Sequence, residues 1–138
     1  TARKALEQSG ADGVMIGRAA EGRPWLPGVI ANALETGSEM KCPPVTEQAK
    51  QLLVFYLDTI EHYTQGHGRC PESGQRLAVR TARKHLAAFI ENLPTDWSED
   101  ERRLLKGHLC RAVDPQCVIE ALERLAEGET RNFFAQAA

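Results

Sequence analysis

The sequence lacks the hydrophobic segments that direct a chain to or through a membrane. No apolar run approaches the ~20 residues that a spanning helix needs. No charged start followed by an apolar stretch, as in a signal peptide, is present, and the first residues, Thr1-Ala2-Arg3-Lys4, include no initiator methionine. We therefore expect a soluble, cytoplasmic protein with no membrane partner.

Paired cysteines and a dominant charge are also missing. The four cysteines form no CxxC pair, which favours free thiols over a disulfide framework. They are Cys42, Cys70, Cys110 and Cys117. His62, His67 and Cys70 supply three possible ligands near one another, but structural zinc usually takes four, so we predict no metal. The formal net charge of -2 gives no general affinity for nucleic acid, and any such site has to be local.

Glycine and proline divide the chain into a short apolar segment followed by helices. Residues 3–9 are predicted to be helical, and Val14-Met15-Ile16, closed by glycines, is typical of a buried parallel strand. Later helices are predicted over 24–35, 46–65, 75–92, 98–109 and 115–127, with a loop over 66–74. Ser98 opens a capping box with Glu101, and Asp114 is a predicted N-cap. The tail, 132–138, is expected to dock through Phe133-Phe134 or to fray.

The single predicted strand indicates a piece of a longer protein, because one strand cannot satisfy its own backbone hydrogen bonds. The closing unit of an α/β barrel has the same order of elements: a helix, a short strand, a glycine and a second helix. In such barrels, the loops after the last strands often bind a phosphate. Gly17 and Arg18 are therefore candidate phosphate-binding residues, since glycine lets the backbone approach an anion closely. Their spacing alone equally allows a plain strand end and a solvated arginine.

A basic helix follows in the second half of the chain. Arg76, Arg80, Arg83 and Lys84 fall within one helical arc, and apolar residues fall on another side. Residues 68–90 carry a net charge of +4, leaving -6 for the rest of the chain. The five cations are Arg69, Arg76, Arg80, Arg83 and Lys84. Such a face binds phosphates or is simply solvated. His85 lies outside the arc and is interpreted as a core or interdomain histidine.

Two stretches resemble a known family. Residues 11–25, Ala-Asp-Gly-Val-Met-Ile-Gly-Arg-Ala-Ala-Glu-Gly-Arg-Pro-Trp, resemble almost letter for letter the last barrel strand of tRNA-dihydrouridine synthases. The match is best to the bacterial B-type branch, once grouped with nitrogen-regulation proteins. Residues 80–85, Arg-Thr-Ala-Arg-Lys-His, are similar to the Arg-x-Ala-Arg-Lys-His motif of that family's C-terminal helical domain. Ala88-Phe89 keeps only one of the two aromatic residues that often follow the motif.

The resemblance implies a mainly α-helical C-terminal fragment of an FMN-dependent flavoprotein oxidoreductase. Residues 1–38 are expected to end a TIM barrel, 39–45 to link, and 46–138 to form a helical RNA-binding domain. In the family, NADPH reduces FMN, which reduces a uridine of tRNA to dihydrouridine. The resemblance assigns the FMN phosphate to Gly17 and Arg18. It assigns tRNA to the basic helix, with Arg76, Arg80, Arg83 and Lys84 as the expected contacts.

The catalytic residue is expected outside this chain. The family's proton-donating cysteine lies on a barrel loop, and no cysteine here lies in a similar segment, so no catalytic residue is assigned. The fragment alone is expected to be inactive. Two rival interpretations remain open at this point. One is another FMN-dependent barrel oxidoreductase with a small-molecule substrate, and the other is a non-catalytic helical module that binds RNA or protein. Trp25 and Trp97 are expected to be packing anchors.

Overall fold

Six α-helices account for most of the structure, a computed structural model that describes residues 1–66, 70–94 and 96–129. The helices are α1 Ala2–Ser9, α2 Leu26–Thr36, α3 Val45–Gly66, α4 Pro71–Glu91, α5 Glu99–Arg111 and α6 Pro115–Ala126, with one 3-10 turn at Arg18–Ala20. The described residues contain no strand, so the mainly α class predicted for the chain is confirmed. The tail, with Phe133-Phe134, lies outside the described residues.

The strand predicted at Val14–Ile16 does not form in this chain. Residues 11–17 have no regular secondary structure, and the side chain of Met15 is 92% exposed. A strand needs a neighbour to satisfy its backbone N–H and C=O groups, and the described ranges provide none. In the described part of the chain, this segment therefore lacks the partners that a strand requires.

Local capping explains most helix ends. The Ser98 box is confirmed, because the Glu101 N–H donates to Ser98 Oγ at 3.3 Å and the Ser98 N–H donates to Glu101 Oε2 at 2.6 Å. Asp114 accepts from the Gln116 N–H at 3.0 Å, as expected of an N-cap. The loop predicted over 66–74 is too long, since α4 begins at Pro71. Cysteine is not a usual N-cap residue, which is why a helix starting directly after Cys70 was not predicted.

The core lies between α3, α4, α5 and α6. Its largest fully buried side chains are Tyr56, Phe89, Leu52, Leu86, Leu105, Leu109, Leu122 and Val118. Trp25 and Trp97 are 5% and 8% exposed, which confirms both as packing anchors. By contrast, α1 buries no residue and α2 buries only Leu26. The first third of the chain thus adds little to the core beyond Trp25 and its neighbours.

Candidate functional sites

Three arginines of α4 surround one surface depression. Arg76 and Arg80 are exposed, and Arg83 is half-buried, one further turn along the helix. With Ser73, Leu77, Val79 and Val113, they line a depression of about 520 Å³. Val113, which is 73% exposed, adds an apolar edge. The guanidinium groups and apolar wall can accept a polyanion that also carries flat or apolar groups.

Arg83 also has a structural role. Its Nη2 donates to the Ala112 carbonyl at 3.4 Å, which ties α4 to the end of α5, and its buried Nε has no hydrogen-bond partner among the described residues. Burial, with the nearby Asp114 carboxylate, raises the pKa of Tyr56 to about 12, although the Arg83 cation acts in the opposite direction. Because Nη2 of Arg83 is engaged with the Ala112 carbonyl, only part of the guanidinium faces the depression.

Lys84 is placed differently from the arginines. Its Nζ lies 3.5 Å from Glu21 Oε1, and it does not line the depression. Both side chains are partly solvated, at 59% and 39% exposure. The structure thus brings together three of the four cations in the predicted basic arc and pairs the fourth with the N-terminal segment. Arg69 lies outside the described residues.

Gly17 and Arg18 are adjacent and exposed at the start of the 3-10 turn. The Gly17 carbonyl accepts from the Ala20 N–H at 2.9 Å, which fixes the turn. A Cβ added at Gly17 would meet nothing within 4 Å, so open space surrounds its α-carbon. The backbone is accessible here, and the Arg18 guanidinium is free of the core. The predicted phosphate-binding pair is therefore open to solvent.

The segment after the turn docks on α4 through contacts that sequence reasoning missed. Gly22 adopts φ +67, and a Cβ there would overlap backbone atoms of His85 and Phe89. The Gly22 N–H donates to His85 Nδ1 at 3.4 Å, and the Trp25 and Phe89 rings meet edge to face, with centroids 6.5 Å apart. The one sequence signal for this contact is a glycine two residues before Pro24, since glycine readily adopts a positive φ. Gly22 thus lets the segment lie close to the backbone of α4.

The environment of His85 favours its neutral form. Burial lowers its pKa below the ordinary 6.5, the Lys84 cation lowers it further, and the Glu21 carboxylate opposes both. The ring of Phe55, on α3, lies 4.7 Å away between centroids. His85 is therefore held between α3 and the N-terminal segment, in agreement with its interpretation as a core or interdomain histidine.

The described residues contain no group of three or more His, Cys, Asp or Glu side chains that could hold a metal ion. His67, one of the ligands considered for zinc, lies outside them. All four cysteines are free thiols, and burial raises the pKa of Cys110. Across the described ranges, no helix is both long enough and apolar enough to cross a membrane.

Comparison with known proteins gives a consistent picture. A family model described as dihydrouridine synthase (Dus) matches residues 1–122. The chain is 37% identical over 94 residues to a probable tRNA-dihydrouridine synthase of Rickettsia typhi, covering 68% of this chain and 26% of that protein. It is 39% identical over 93 residues to tRNA-dihydrouridine synthase B of Pseudomonas aeruginosa, covering 67% and 25%.

A longer match extends to 129 residues of a probable tRNA-dihydrouridine synthase of Rhodobacter capsulatus, at 35% identity, covering 94% of this chain and 34% of that protein. The matched regions therefore amount to between 25% and 34% of the length of these three relatives. No solved structure gives a significant match.

Proposed function

The chain belongs to the dihydrouridine synthase family, and we propose that the protein carrying it reduces uridine to dihydrouridine in tRNA. The support is the family match over residues 1–122 together with relatives named tRNA-dihydrouridine synthases, one of them B-type. FMN is the proposed cofactor, and NADPH is the proposed reductant. A tRNA substrate places the proposed activity in the cytoplasm.

We propose that the parts of the chain on either side of the predicted linker have different functions. Residues 1–38 end the flavin-binding barrel, 39–45 link, and 46–138 form the helical RNA-binding domain. The near absence of buried residues in α1 and α2 supports this division, because the last unit of a barrel packs mainly on the rest of the barrel. No residue of this chain is assigned a catalytic role, and the chain by itself is expected to be inactive.

The RNA contact is proposed on α4, and one observation carries it. Arg76, Arg80 and Arg83 converge on a single depression in a protein whose net charge is -2. RNA phosphates are the natural partner of such a local cluster, and the apolar edge at Val113 suits a ribose or base. Lys84 is proposed as a weaker fourth contact, because Glu21 already neutralises part of its charge.

Gly17 and Arg18 are proposed to hold the FMN phosphate. Arg18 supplies a cation, and the open backbone at Gly17 allows close approach of an anion. FMN, when bound, supplies the hydride chemistry, and the contribution of these two residues is to bind and orient it.

The test of the RNA proposal uses the full-length protein with Arg76 and Arg80 both changed to alanine. These two are chosen because Arg83 also ties α4 to α5. We expect weaker tRNA binding and a log–log salt slope smaller by roughly 0.7 to 0.9 for each lost phosphate contact. Binding is measured by filter retention at several salt concentrations, with circular dichroism to verify the fold.

The matched control is Arg103→Ala with Arg111→Ala. These exposed arginines of α5 line a different depression, so the control removes the same charge elsewhere. An equal loss of affinity in both double variants would show that only net charge matters. Unchanged affinity and slope in Arg76→Ala/Arg80→Ala would remove the RNA role from α4.

A further inference from the structure

Three contacts join the segment of residues 21–25 to three positions along α4. Glu21 pairs with Lys84, the Gly22 amide donates to His85, and Trp25 packs edge to face on Phe89. These contacts join residues more than 60 positions apart in the sequence. One of them, the bond from Gly22 to His85, depends on a specific acceptor atom rather than on packing.

His85 is placed so that this acceptor has a fixed position. Its ring contacts the ring of Phe55, and its Nδ1 accepts the Gly22 N–H. Gly22 lies so close to the α4 backbone that a Cβ there would overlap the His85 carbonyl oxygen and the Phe89 nitrogen. Because Nδ1 accepts the Gly22 N–H, it carries no proton, and the neutral ring bears its proton on Nε2. The bond is therefore a property of neutral His85.

The position of Gly22 in turn determines the position of the Gly17–Arg18 pair. Consecutive backbone hydrogen bonds connect them: Ala20 N–H to Gly17 O at 2.9 Å, Glu21 N–H to Arg18 O at 3.1 Å and Arg23 N–H to Ala20 O at 3.0 Å. His85 also lines, with Gly17 and Gly22, a cavity of about 280 Å³ below this turn. Because only six positions separate the two ends of this hydrogen-bonded segment, we expect a shift of Gly22 away from α4 to move Gly17 as well.

We propose that His85 is a positioning residue that fixes the phosphate-binding pair Gly17–Arg18 relative to α4. The inference rests on the proposed binding of FMN at that pair and adds a link between two sites. The helix that carries the RNA-contacting arginines also sets the position of the cofactor loop. RNA bound on Arg76 and Arg80 is thereby held at a defined distance from the flavin phosphate.

The test uses the full-length protein and substitutions of similar shape that differ in the acceptor. His85→Asn keeps an acceptor oxygen close to the position of Nδ1, whereas His85→Leu has nearly the same shape and no acceptor. His85→Phe keeps ring packing on Phe55 without an acceptor, so a folding failure of one acceptor-free variant leaves the other. His62→Phe, at the end of α3, is the control for loss of an imidazole elsewhere.

Two quantities are measured. Amide hydrogen exchange of residues 17–25, without added FMN, reports the order of the segment, and the rate of FMN release reports its binding. In the acceptor-free variants we expect both rates to rise by roughly 2- to 10-fold, the effect of losing one hydrogen bond. In His85→Asn and His62→Phe both rates should stay near those of the wild type, and the salt slope of tRNA binding should not change in any variant.

The outcomes separate this inference from the proposed function. Wild-type exchange over residues 17–25 in both acceptor-free variants overturns the inference. Faster exchange with unchanged FMN release also overturns the inference, because FMN binding would then not depend on the segment that His85 orders. Equal effects of His85→Asn and His85→Leu would show that only ring packing matters, and this also overturns it. If the wild type binds no FMN, the cofactor proposal fails, and the exchange of Gly17 and Arg18 alone decides whether His85 orders the pair.

Discussion

The guanidinium of Arg102 donates to the backbone carbonyl of Ile90 at 2.6 Å, and so a side chain of α5 closes the C-terminal end of α4. The same group also donates to the carbonyls of Leu93 at 2.9 Å, Pro94 at 2.8 Å and Trp97 at 3.2 Å. The last carbonyls of a helix have no intrahelical partners. Arg102 bonds the carbonyls of Ile90 and, at 3.5 Å, Glu91 at the end of α4, and its bonds to Leu93, Pro94 and Trp97 fix the turn between α4 and α5.

Arg102→Ala should therefore destabilise the chain. Hydrogen bonds to a charged group contribute about 1.5–3 kcal/mol, and we expect a loss of about that size in the free energy of unfolding. The stability of Arg102→Lys should lie between that of Arg102→Ala and that of the wild type, because an ammonium keeps the charge but cannot reproduce the planar hydrogen-bonding geometry of a guanidinium. Urea denaturation of the 138-residue chain measures the effect. Arg103→Ala is the control, since Arg103 is exposed and pairs with Asp100, and its change should stay within about 0.5 kcal/mol.

Gly22→Ala should separate the N-terminal segment from α4. The substitution meets two obstacles: a left-handed backbone, which costs a residue with a Cβ about 1–2 kcal/mol, and overlap with the backbone of His85 and Phe89. We expect faster hydrogen exchange over residues 17–25 and a larger stability loss than in Gly37→Ala. Gly37 also has a positive φ, +71, but open space surrounds it. Gly37→Ala therefore measures the cost of the left-handed backbone without any steric overlap. Equal losses in the two variants would contradict the close approach at Gly22.

Acidification should loosen the same segment. The pKa of His85 is lowered in the folded chain by burial and by Lys84, against the opposing effect of Glu21, so the folded state binds fewer protons than the unfolded state. The stability that neutral His85 contributes is complete above its ordinary pKa of 6.5 and is lost as the pH falls through the folded value. Exchange over residues 17–25, corrected for its intrinsic pH dependence, should rise as the pH falls below the ordinary pKa of 6.5 and through the lower pKa of His85 in the folded chain. His85→Asn should remove most of this rise, and an unchanged pH profile in that variant would mean that another group is responsible.

Lys84→Ala should weaken tRNA binding less than Arg80→Ala does. Arg80 is exposed within the arginine-lined depression, whereas the Lys84 ammonium lies outside it and is paired with Glu21. The slope of log affinity against log salt should fall by roughly 0.7 to 0.9 in Arg80→Ala and by less in Lys84→Ala. Binding titrations of both variants in the full-length protein decide the order. An equal or larger effect of Lys84→Ala would mean that RNA displaces Glu21.

Several features could be read from the sequence because their causes are local. The Ser98–Glu101 box and the Asp114 cap involve residues two or three positions apart, and Gly10 and Gly37 end their helices in the left-handed conformation, with φ 64 and 71. The basic arc of α4 follows from helical periodicity in the same way. The family was identified from two short stretches, and the match over residues 1–122 confirms it.

The remaining features depend on residues that are distant in the sequence. Local spacing does not reveal that Lys84 meets Glu21, that Gly22 meets His85, or that Arg102 reaches the end of α4. Their partners are brought near only by the packing of the helices. The segment at Val14–Ile16 also depends on distant residues, but here the distant partners are missing from the described residues. Its apolar pattern specifies a strand, but a strand exists only where neighbouring strands complete its hydrogen bonds, and the described residues contain no such neighbour.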